Sequence, residues 1–410
     1  MNDMLTPEQA QQAVLDCIEP LGTERVSLLE AAGRALAQPV RARRDNPPHD
    51  NSAMDGYAVR WADVAQATPE AGVVLDMIED IPAGYVGERR VEAGQASRIM
   101  TGASVPEGAD TIVPVEDTRA DGSRIEILEV EEIGAHIRRQ GEDLRQGEVV
   151  LEAGTRCGPG EVAVLAAVQQ SFVEVGRRPT VAILSTGDEL VEIGQPLEPG
   201  QIVDSNTYAL AALAQKHGAI PVMHPIVRDS EAAVRTAVEA ALQADIILSS
   251  GGVSVGEYDY IKTVLDDMGA QTVLWRVAMK PGKPLFFCLI QGTPYFGLPG
   301  NPVSSFMSFL QFVRPAIGKA SGLRPEAWLL PVARARLKGA VDNDGDRRQY
   351  VRARLHWEDG QLWADPHGGQ GSHMLSSLVG ANGVVVLGPD AQAAAGDEVE
   401  VQIIGEVHGS

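Results

Sequence analysis

The stretch Ala244–Tyr260, ADIILSSGGVSVGEYDY, governs how this chain is read. Ile246, Ile247 and Leu248 form a short apolar run of high β-propensity. Ser249-Ser250-Gly251-Gly252 breaks the run, Gly256 closes the loop, and a helix starts near Tyr260. Glycine has no Cβ, so backbone N–H groups can approach an anion closely there. A helix beginning just beyond adds the positive end of its dipole. The guest that suits this arrangement is a phosphate or another oxyanion. Glu257 and Asp259 lie in the same loop, which points to Mg²⁺ accompanying a phosphorylated substrate. The stretch is neither a G-x-G-x-x-G nor a Walker A loop, because no Gly-Lys-Ser/Thr follows. Taken alone, it also fits a plain structural connection.

Similar signals recur around it. From 179 to 321 strands and helices alternate. Strands are expected at Thr180–Leu184, Ile220–Val227, Asp245–Ser249, Thr272–Ala278, Leu285–Cys288 and Tyr295–Gly297. Helices are expected at Asn206–His217, Ser230–Leu242, Tyr260–Met268 and Val303–Ala320. The alternation predicts a doubly wound, mainly parallel α/β sheet, whose ligands bind beyond the carboxyl ends of the strands. Those ends are polar or glycine-rich. Ser185-Thr186-Gly187-Asp188-Glu189 follows the first strand, as a ligand for hydroxyls and Mg²⁺ or as a helix cap. Arg228-Asp229-Ser230 follows the second, with Asp229 also readable as an N-cap. Lys280-Pro281-Gly282-Lys283-Pro284 holds two lysines on a rigid turn, an anion site or a solvated loop. Gly297-Leu298-Pro299-Gly300-Asn301-Pro302-Val303-Ser304-Ser305 is a strand-to-helix turn. There Asn301 can cap, Pro302 suits the first helical position, and the N–H groups around Val303–Ser305 offer a second anion seat. Four such turns on one sheet edge predict a single crevice for an oxyanion and a divalent cation.

The flanks read differently. Thr6–Glu19 is an amphipathic helix with a Thr6/Gln9 capping box and Pro7 at its start. A short helical pattern, Leu28–Leu36, follows. Between about 39 and 154, glycine and proline punctuate β-like runs at Val73–Ile78, Arg98–Met100, Thr111–Val115 and Arg124–Val130, which predicts one or two small β-rich modules. Beyond Arg324-Pro325, the runs Val332–Leu337, Gln349–His356, Gln361–Ala364, Gly383–Leu387 and Glu398–Ile404 predict a small β-barrel or sandwich.

Bulk properties bound the function. At 410 residues the chain has room for about two to four domains. Its formal charge of −22 argues against binding to nucleic acid or an anionic membrane, and makes local clusters of Lys and Arg informative. The three cysteines, Cys17, Cys157 and Cys288, are scattered and read as buried small apolar residues. The start MNDMLTPEQA lacks a basic and then apolar leader, and no apolar run nears the roughly 18 residues of a membrane span. A cytoplasmic location is expected.

At these motifs the chain resembles the MoeA-type molybdopterin molybdenumtransferases, the family that includes the gephyrin E domain. The matching strings are DNSAMDGYAV, RIMTGASVPEGAD, RRQGED, STGDEL, SSGGVSVGEYDY, KPGKP, GLPGNPVS and HGGQGSH, in family order from about residue 50 to 373. The resemblance implies an elongated homodimer of four-domain subunits. Residues 1–50 and 140–178 would form a discontinuous β-rich domain I, and 51–139 an inserted β-rich domain II. Residues 179–322 would form the α/β domain III, and 323–410 a C-terminal β-barrel, domain IV. The implied reaction joins molybdate to adenylylated molybdopterin and releases AMP, with Mg²⁺.

The same resemblance distributes roles. Phosphates would sit on Gly251 and Gly252 and at the helix that begins with Pro302. Thr186, Gly187, Ser250, Val253, Ser254, Gly256, Arg276, Pro299, Asn301, Ser304 and Ser372 would complete the substrate site. Lys280 and Lys283 would offset the charge or bind molybdate. Asp188, Glu189, Asp229 and Asp259 would orient the attack or hold Mg²⁺, with Glu189, Asp229 and Asp259 as the metal set; Mg²⁺ takes only one or two carboxylates beside phosphates and waters. Asp55, Thr101 and Asp143 would enter from the β-rich arm of the partner subunit. From the residues alone, Asp55-Gly56 could be a hairpin turn, Thr101 an exposed turn residue, and Arg138–Asp143 a surface ion-pair run. The chain departs from the family pattern at Arg276, where a lysine is usual; arginine keeps the charge and adds a planar fork suited to oxyanions. Asp365-Pro366-His367 is also an unusual lead-in, with no function attached.

Two other functions compete. One is adenylylation of molybdopterin by ATP, the work of a smaller relative that is a single α/β domain. The other is a gephyrin-like scaffold, a role tied to an additional N-terminal domain and a long linker that this sequence does not carry. Transient contacts with the molybdopterin adenylyltransferase and with recipient apo-molybdoenzymes are also expected.

Overall fold

A computed structural model of the chain describes residues 4–252 and 260–409. The N-terminal helix spans Pro7–Asp16 and starts as its sequence dictates. The Gln9 N–H donates to the Thr6 hydroxyl, while the Thr6 N–H donates to the Gln9 side chain at 2.9 Å. Its buried Ala10 and Val14 join the main core of the α/β domain. The second expected helix is a single turn, Leu28–Ala31. Gly33, at φ +78°, turns the chain out of helical geometry, and Ala35 and Leu36 bridge to Arg156 and Val175 instead.

The β-rich region is entered and left through adjacent strand pairs. Val40–Arg41 pairs with Val149–Leu151, and Asn51–Ser52 pairs with Ile137–Arg138. Between them lies a six-stranded sheet in the order Thr111–Pro114, Gly56–Val59, Gln95–Ile99, Val73–Ile81, Arg124–Ile127, Thr118–Asp121. Gly56 is obligatory there, since a Cβ would stand 2.0 Å from the Val113 carbonyl oxygen.

The α/β sheet runs in the order Ile220–Met223, Thr180–Ser185, Ile246–Ser250, Thr293–Leu298, Phe286–Ile290, Gln271–Trp275. The first four strands are parallel, and Phe286–Ile290 is antiparallel to both of its neighbours. Alternate residues serve opposite faces. Val181, Ile183, Ile246 and Leu248 pack under the Asn206–Lys216 helix and the helical segment from Pro302 to Ala320. Ala182, Leu184, Ile247 and Tyr295 pack under the Glu231–Ala241 and Tyr260–Asp267 helices. This is the doubly wound, mainly parallel arrangement expected from the sequence, covered on both faces.

Three expected elements differ from their expected course, two at their ends and one within. The second strand stops at Met223, and Val227 rejoins only as a bridge to Thr186. The Gln271 strand stops at Trp275 because Arg276 adopts φ +71°; Met279–Lys280 then pairs with Arg348–Gln349 of the next domain. The long helix is interrupted by a π turn at Phe309–Val313. Pro315 has no N–H for the Gln311 carbonyl, which accepts from Gln11 Nε2 at 3.0 Å instead.

The C-terminal region closes into a barrel. Arg348–Glu358, Gln361–Pro366, Val332–Leu337, Glu398–Ile403 and Gly383–Leu387 pair in sequence, and the last pairs back onto the first. No helix among the described residues is long and apolar enough to cross a membrane. Cys157 and Cys288 are buried free thiols, as expected, whereas Cys17 is only partly buried; burial pushes the Cys288 pKa up to about 12.

At the amino end of the Ile246 strand, Arg177 grips Asp245 through two hydrogen bonds of 2.9 and 2.6 Å. Burial raises the Asp245 pKa, but bonds from Arg177 and Thr180 together hold it below the ordinary value. A lowered carboxylate pKa stabilises the fold above the unfolded value and is lost as pH falls through the folded one. Asp245→Asn should therefore cost about 1–2 kcal/mol at neutral pH, and urea titrations should converge with wild type in acid.

Candidate active site

The carboxyl ends of three parallel strands are level. Ser185 pairs with Ser250, and Ser250 with Leu298. The turns that leave these ends therefore meet. Gly251 and Gly252 hold φ +91° and +65°, and a Cβ would stand 2.9 Å from the Thr186 carbonyl oxygen on the first and 2.6 Å from Ile261 Cδ1 on the second. Only glycine makes this floor. Asn206 ties it down, donating to Ser250 Oγ at 2.8 Å and to the Gly300 carbonyl at 2.7 Å. The Ser305 hydroxyl donates to the Pro299 carbonyl.

Two cavities open at this edge. The first, about 300 Å³, lies among Thr186, Glu189, Asp204, Asn206, Ser250, Gly251, Asn301 and His373. The Thr186 hydroxyl is buried beside it with no partner among the described residues. The second, about 400 Å³, lies among Lys280, Lys283, Asn301, Ser304, Arg347, Gln349, Tyr350 and Ser372. Asn301 stands on both walls. The barrel loop carrying Gln370–His373 thus contributes to both cavities.

That loop alters the expected anion seat. The Val303 N–H donates to the Ser372 carbonyl at 3.1 Å, and Asn301 Nδ2 donates to Ser372 Oγ at 3.1 Å. The Ser305 N–H bonds to the Asn301 carbonyl as the helix forms. Asn301 occupies the N-cap position but makes no side-chain cap bond. A neighbouring loop already satisfies part of the helix N-terminus, so the seat is smaller than the sequence suggests.

Arg352 was not legible as a site residue. It is fully buried in the Arg348–Glu358 strand. Its Nη2 donates to the Gly369 carbonyl at 2.8 Å and the Gly371 carbonyl at 3.3 Å, while Nε and Nη1 have no partner among the described residues. Burial lowers its pKa. The Gln370 side chain holds both the N–H and the carbonyl of Arg352, so a buried cation braces the loop behind the second cavity. The available signal was a charge inside an otherwise apolar strand. Asp204, Asn206 and Arg347 were likewise missed, having no glycine or proline signature of their own, and His373 was passed over although it ends the HGGQGSH string.

The acids gather on one side. The Asp229 N–H donates to the Asp188 carboxylate at 3.3 Å, and Arg228 donates to the Asp188 carbonyl at 3.1 Å. Asp229 is therefore not the cap; Ser230 is, accepting from the Ala233 N–H at 3.3 Å. Burial raises the Asp229 pKa, and the charges of Asp188 and Glu189 push it further. No group of three metal-ligating side chains forms among the described residues. Asp259, Val253, Ser254 and Gly256 lie outside them.

Other expected site residues are elsewhere. Arg276 is half-buried in its left-handed conformation and lines neither cavity. Asp55 accepts from the N–H and hydroxyl of Thr101, both at 2.7 Å, which holds its pKa below the usual carboxylate range. Asp143 accepts from Asn46 Nδ2 at 2.8 Å. None of these three lines either cavity within one chain.

Fold and crevice define a class: a doubly wound α/β domain with an anion-suited crevice at its carboxyl edge, walled in part by a closed barrel. Family comparison narrows it. The "MoeA N-terminal region (domain I and II)" matches residues 5–168, the "Probable molybdopterin binding domain" 182–319, and the "MoeA C-terminal region (domain IV)" 334–404. A molybdopterin molybdenumtransferase of Nostoc sp. is 44% identical over 361 residues, 87% of this chain and 82% of that relative. One from Haemophilus influenzae is 38% identical, over 97% of this chain and 98% of the relative. The crystal structure of the moeA protein from Pyrococcus horikoshii OT3 matches with a TM-score of 0.84 at 31% identity, covering 98% of this chain and all of that one. The chain belongs to the MoeA family.

A raised carboxylate pKa makes the ionised form costly: the penalty is absent below the ordinary value of 3.8 and develops as pH rises through the folded value. Asp229→Asn should therefore raise the melting temperature of ligand-free protein at neutral pH. The gain should vanish in acid, as scanning calorimetry across pH would record.

Proposed function

We propose that this protein inserts molybdate into adenylylated molybdopterin, releasing AMP, as a cytoplasmic, Mg²⁺-dependent homodimeric transferase. The observation that carries the reading is the pair of cavities meeting at Asn301. One is floored by glycines and faced by Glu189; the other holds Lys280, Lys283 and Arg347. A substrate joining two phosphates suits the first, and a tetrahedral dianion suits the second. In a chain of charge −22, three cations around one small cavity concentrate positive charge where a dianion needs it.

The protein's part is positioning and charge. Thr186 and the Gly251–Gly252 turn hold phosphate oxygens. Lys280 and Lys283 offset charge as it develops on the leaving oxygen, without covalent catalysis. Asn301 and Ser372 fix the distance between the two bound groups. The Asp229 N–H donates to the Asp188 carboxylate, and one or two acids of this turn beside phosphate oxygens would suit a divalent cation. Glu189, Asp229 and Asp259 would hold Mg²⁺, which would neutralise the phosphoanhydride oxygens when bound. Asp55, Thr101 and Asp143 would complete the crevice from a second copy of the chain.

The test is AMP release from adenylylated molybdopterin with and without molybdate. Release should require molybdate and yield cofactor that activates an apo-molybdoenzyme. Robust ATP consumption would favour the adenylyltransferase reading, and tight binding without release a scaffold. Lys280→Ala should raise the KM for molybdate at least about ten-fold, the cost of one charge-assisted hydrogen bond.

The shared site has its own check. Asp55→Ala and Asp229→Ala should each be inactive. If each site takes Asp55 from one subunit and Asp229 from the other, half of the randomly mixed dimers would carry one intact site. Activity should then return to about a quarter of wild type; no recovery in exchanged dimers would count against sharing.

A further inference from the structure

The second cavity has acids at its mouth. Asp344 Oδ1 lies 3.8 Å from Lys280 Nζ, and Asp346 Oδ1 lies 3.8 Å from Arg347 Nε. Both acids are 85% exposed, while the cations they approach are half-buried or less exposed. Their loop is firmly placed. Asn343 is buried, and its Nδ2 donates to the Arg347 carbonyl at 2.8 Å and to the Gly388 carbonyl at 2.6 Å. The Asn343 N–H donates to the Ala391 carbonyl, and the Asp390 N–H to the Gly345 carbonyl. Asp344 and Asp346 therefore project from a pinned turn toward two of the three cations that line the cavity.

We propose that Asp344 and Asp346 are built-in competitors for the oxyanion site, setting its affinity and its selectivity for dianions. The inference rests on the reading of the second cavity as the molybdate site. A carboxylate and an oxyanion compete for the same N–H donors on Lys280 and Arg347. A monoanion that displaces one carboxylate exchanges one negative charge for another and gains little. A tetrahedral dianion can meet Lys280, Lys283 and Arg347 together and so overcomes the competition. The carboxylates thus act as a threshold that chloride and other monoanions do not pass, at the expense of some molybdate affinity. The contacts are solvent-exposed, so each is individually weak and salt-sensitive.

The experiment is titration of the full-length protein with sodium molybdate alone, by calorimetry, at low and moderate chloride. Asp344→Asn and Asp346→Asn should each bind molybdate about two- to five-fold more tightly at low salt. Both should also lose more affinity on adding chloride than wild type does. Asp344→Glu, which keeps the charge, should return toward wild type. Asp359→Asn makes the same charge change at the far end of the Arg348–Glu358 strand and should leave the constant unmoved. Wild-type binding with Asp344→Asn and Asp346→Asn unchanged in both affinity and chloride dependence overturns the competition and leaves the cavity reading standing. No molybdate binding by wild type and both Asn variants overturns the cavity reading, and this inference with it.

Discussion

Everything at the crevice depends on the level ends of three parallel strands. Because Ser185, Ser250 and Leu298 pair side by side, the turns after them must share one small volume. Side chains would collide there, and the glycines at 251 and 252 are the consequence. The closeness leaves backbone and hydroxyl groups, rather than bulky side chains, to face a ligand. It also leaves the edge open on its far side, where the barrel supplies the missing wall. Met279–Lys280 pairs with Arg348–Gln349, carrying the strand order across the domain boundary. The lysine turn is thereby fixed against the strand that buries Arg352.

Much of this was legible in the sequence because local chemistry and global fold agree. The alternation of apolar runs with helical periods specified a doubly wound sheet, and the polar strand ends located its ligand edge. Gly251, Gly252, Lys280, Lys283 and Asn301 were visible because glycine, proline and clustered charge mark turns directly. Where the reading failed, the deciding partner was distant in sequence. Asn301 reads as a helix cap, but Ser372, 71 residues away, takes its amide. Arg352 reads as an ordinary strand arginine, and only barrel closure shows it buried under Gly369 and Gly371. The helix expected over Leu28–Leu36 breaks because Gly33 and the pairing of Ala35 and Leu36 outweigh weak helical propensity.

Arg276 differs from both cases. Its residue type pointed to an oxyanion, yet its backbone sits at φ +71° with its N–H bonded to the Leu285 carbonyl, and its side chain reaches neither cavity wall. A left-handed non-glycine residue at a strand end is a conformation the surroundings must enforce. Here it turns the chain from the sheet edge toward the lysine turn, so the position has a geometric duty whatever its charge does.

Charge distribution completes the argument. A chain of net charge −22 repels dianions from most of its surface, so an anion site must be local. The cations that make it local also need company. Lys280 and Arg347 line one small cavity, and each has an acid of the pinned Asn343 turn nearby. The acids Asp188, Glu189 and Asp229 pose the reverse problem, which Arg228 close by relieves in part. Glu189 brings negative charge to the first cavity, and Lys280, Lys283 and Arg347 bring positive charge to the second, with Asn301 on the wall between them. A ligand with an anionic head and a cation-bridged phosphate chain relieves both strains at once, whereas a simple anion relieves one. Selectivity at such an edge follows from the pairing of the two halves more than from the strength of either.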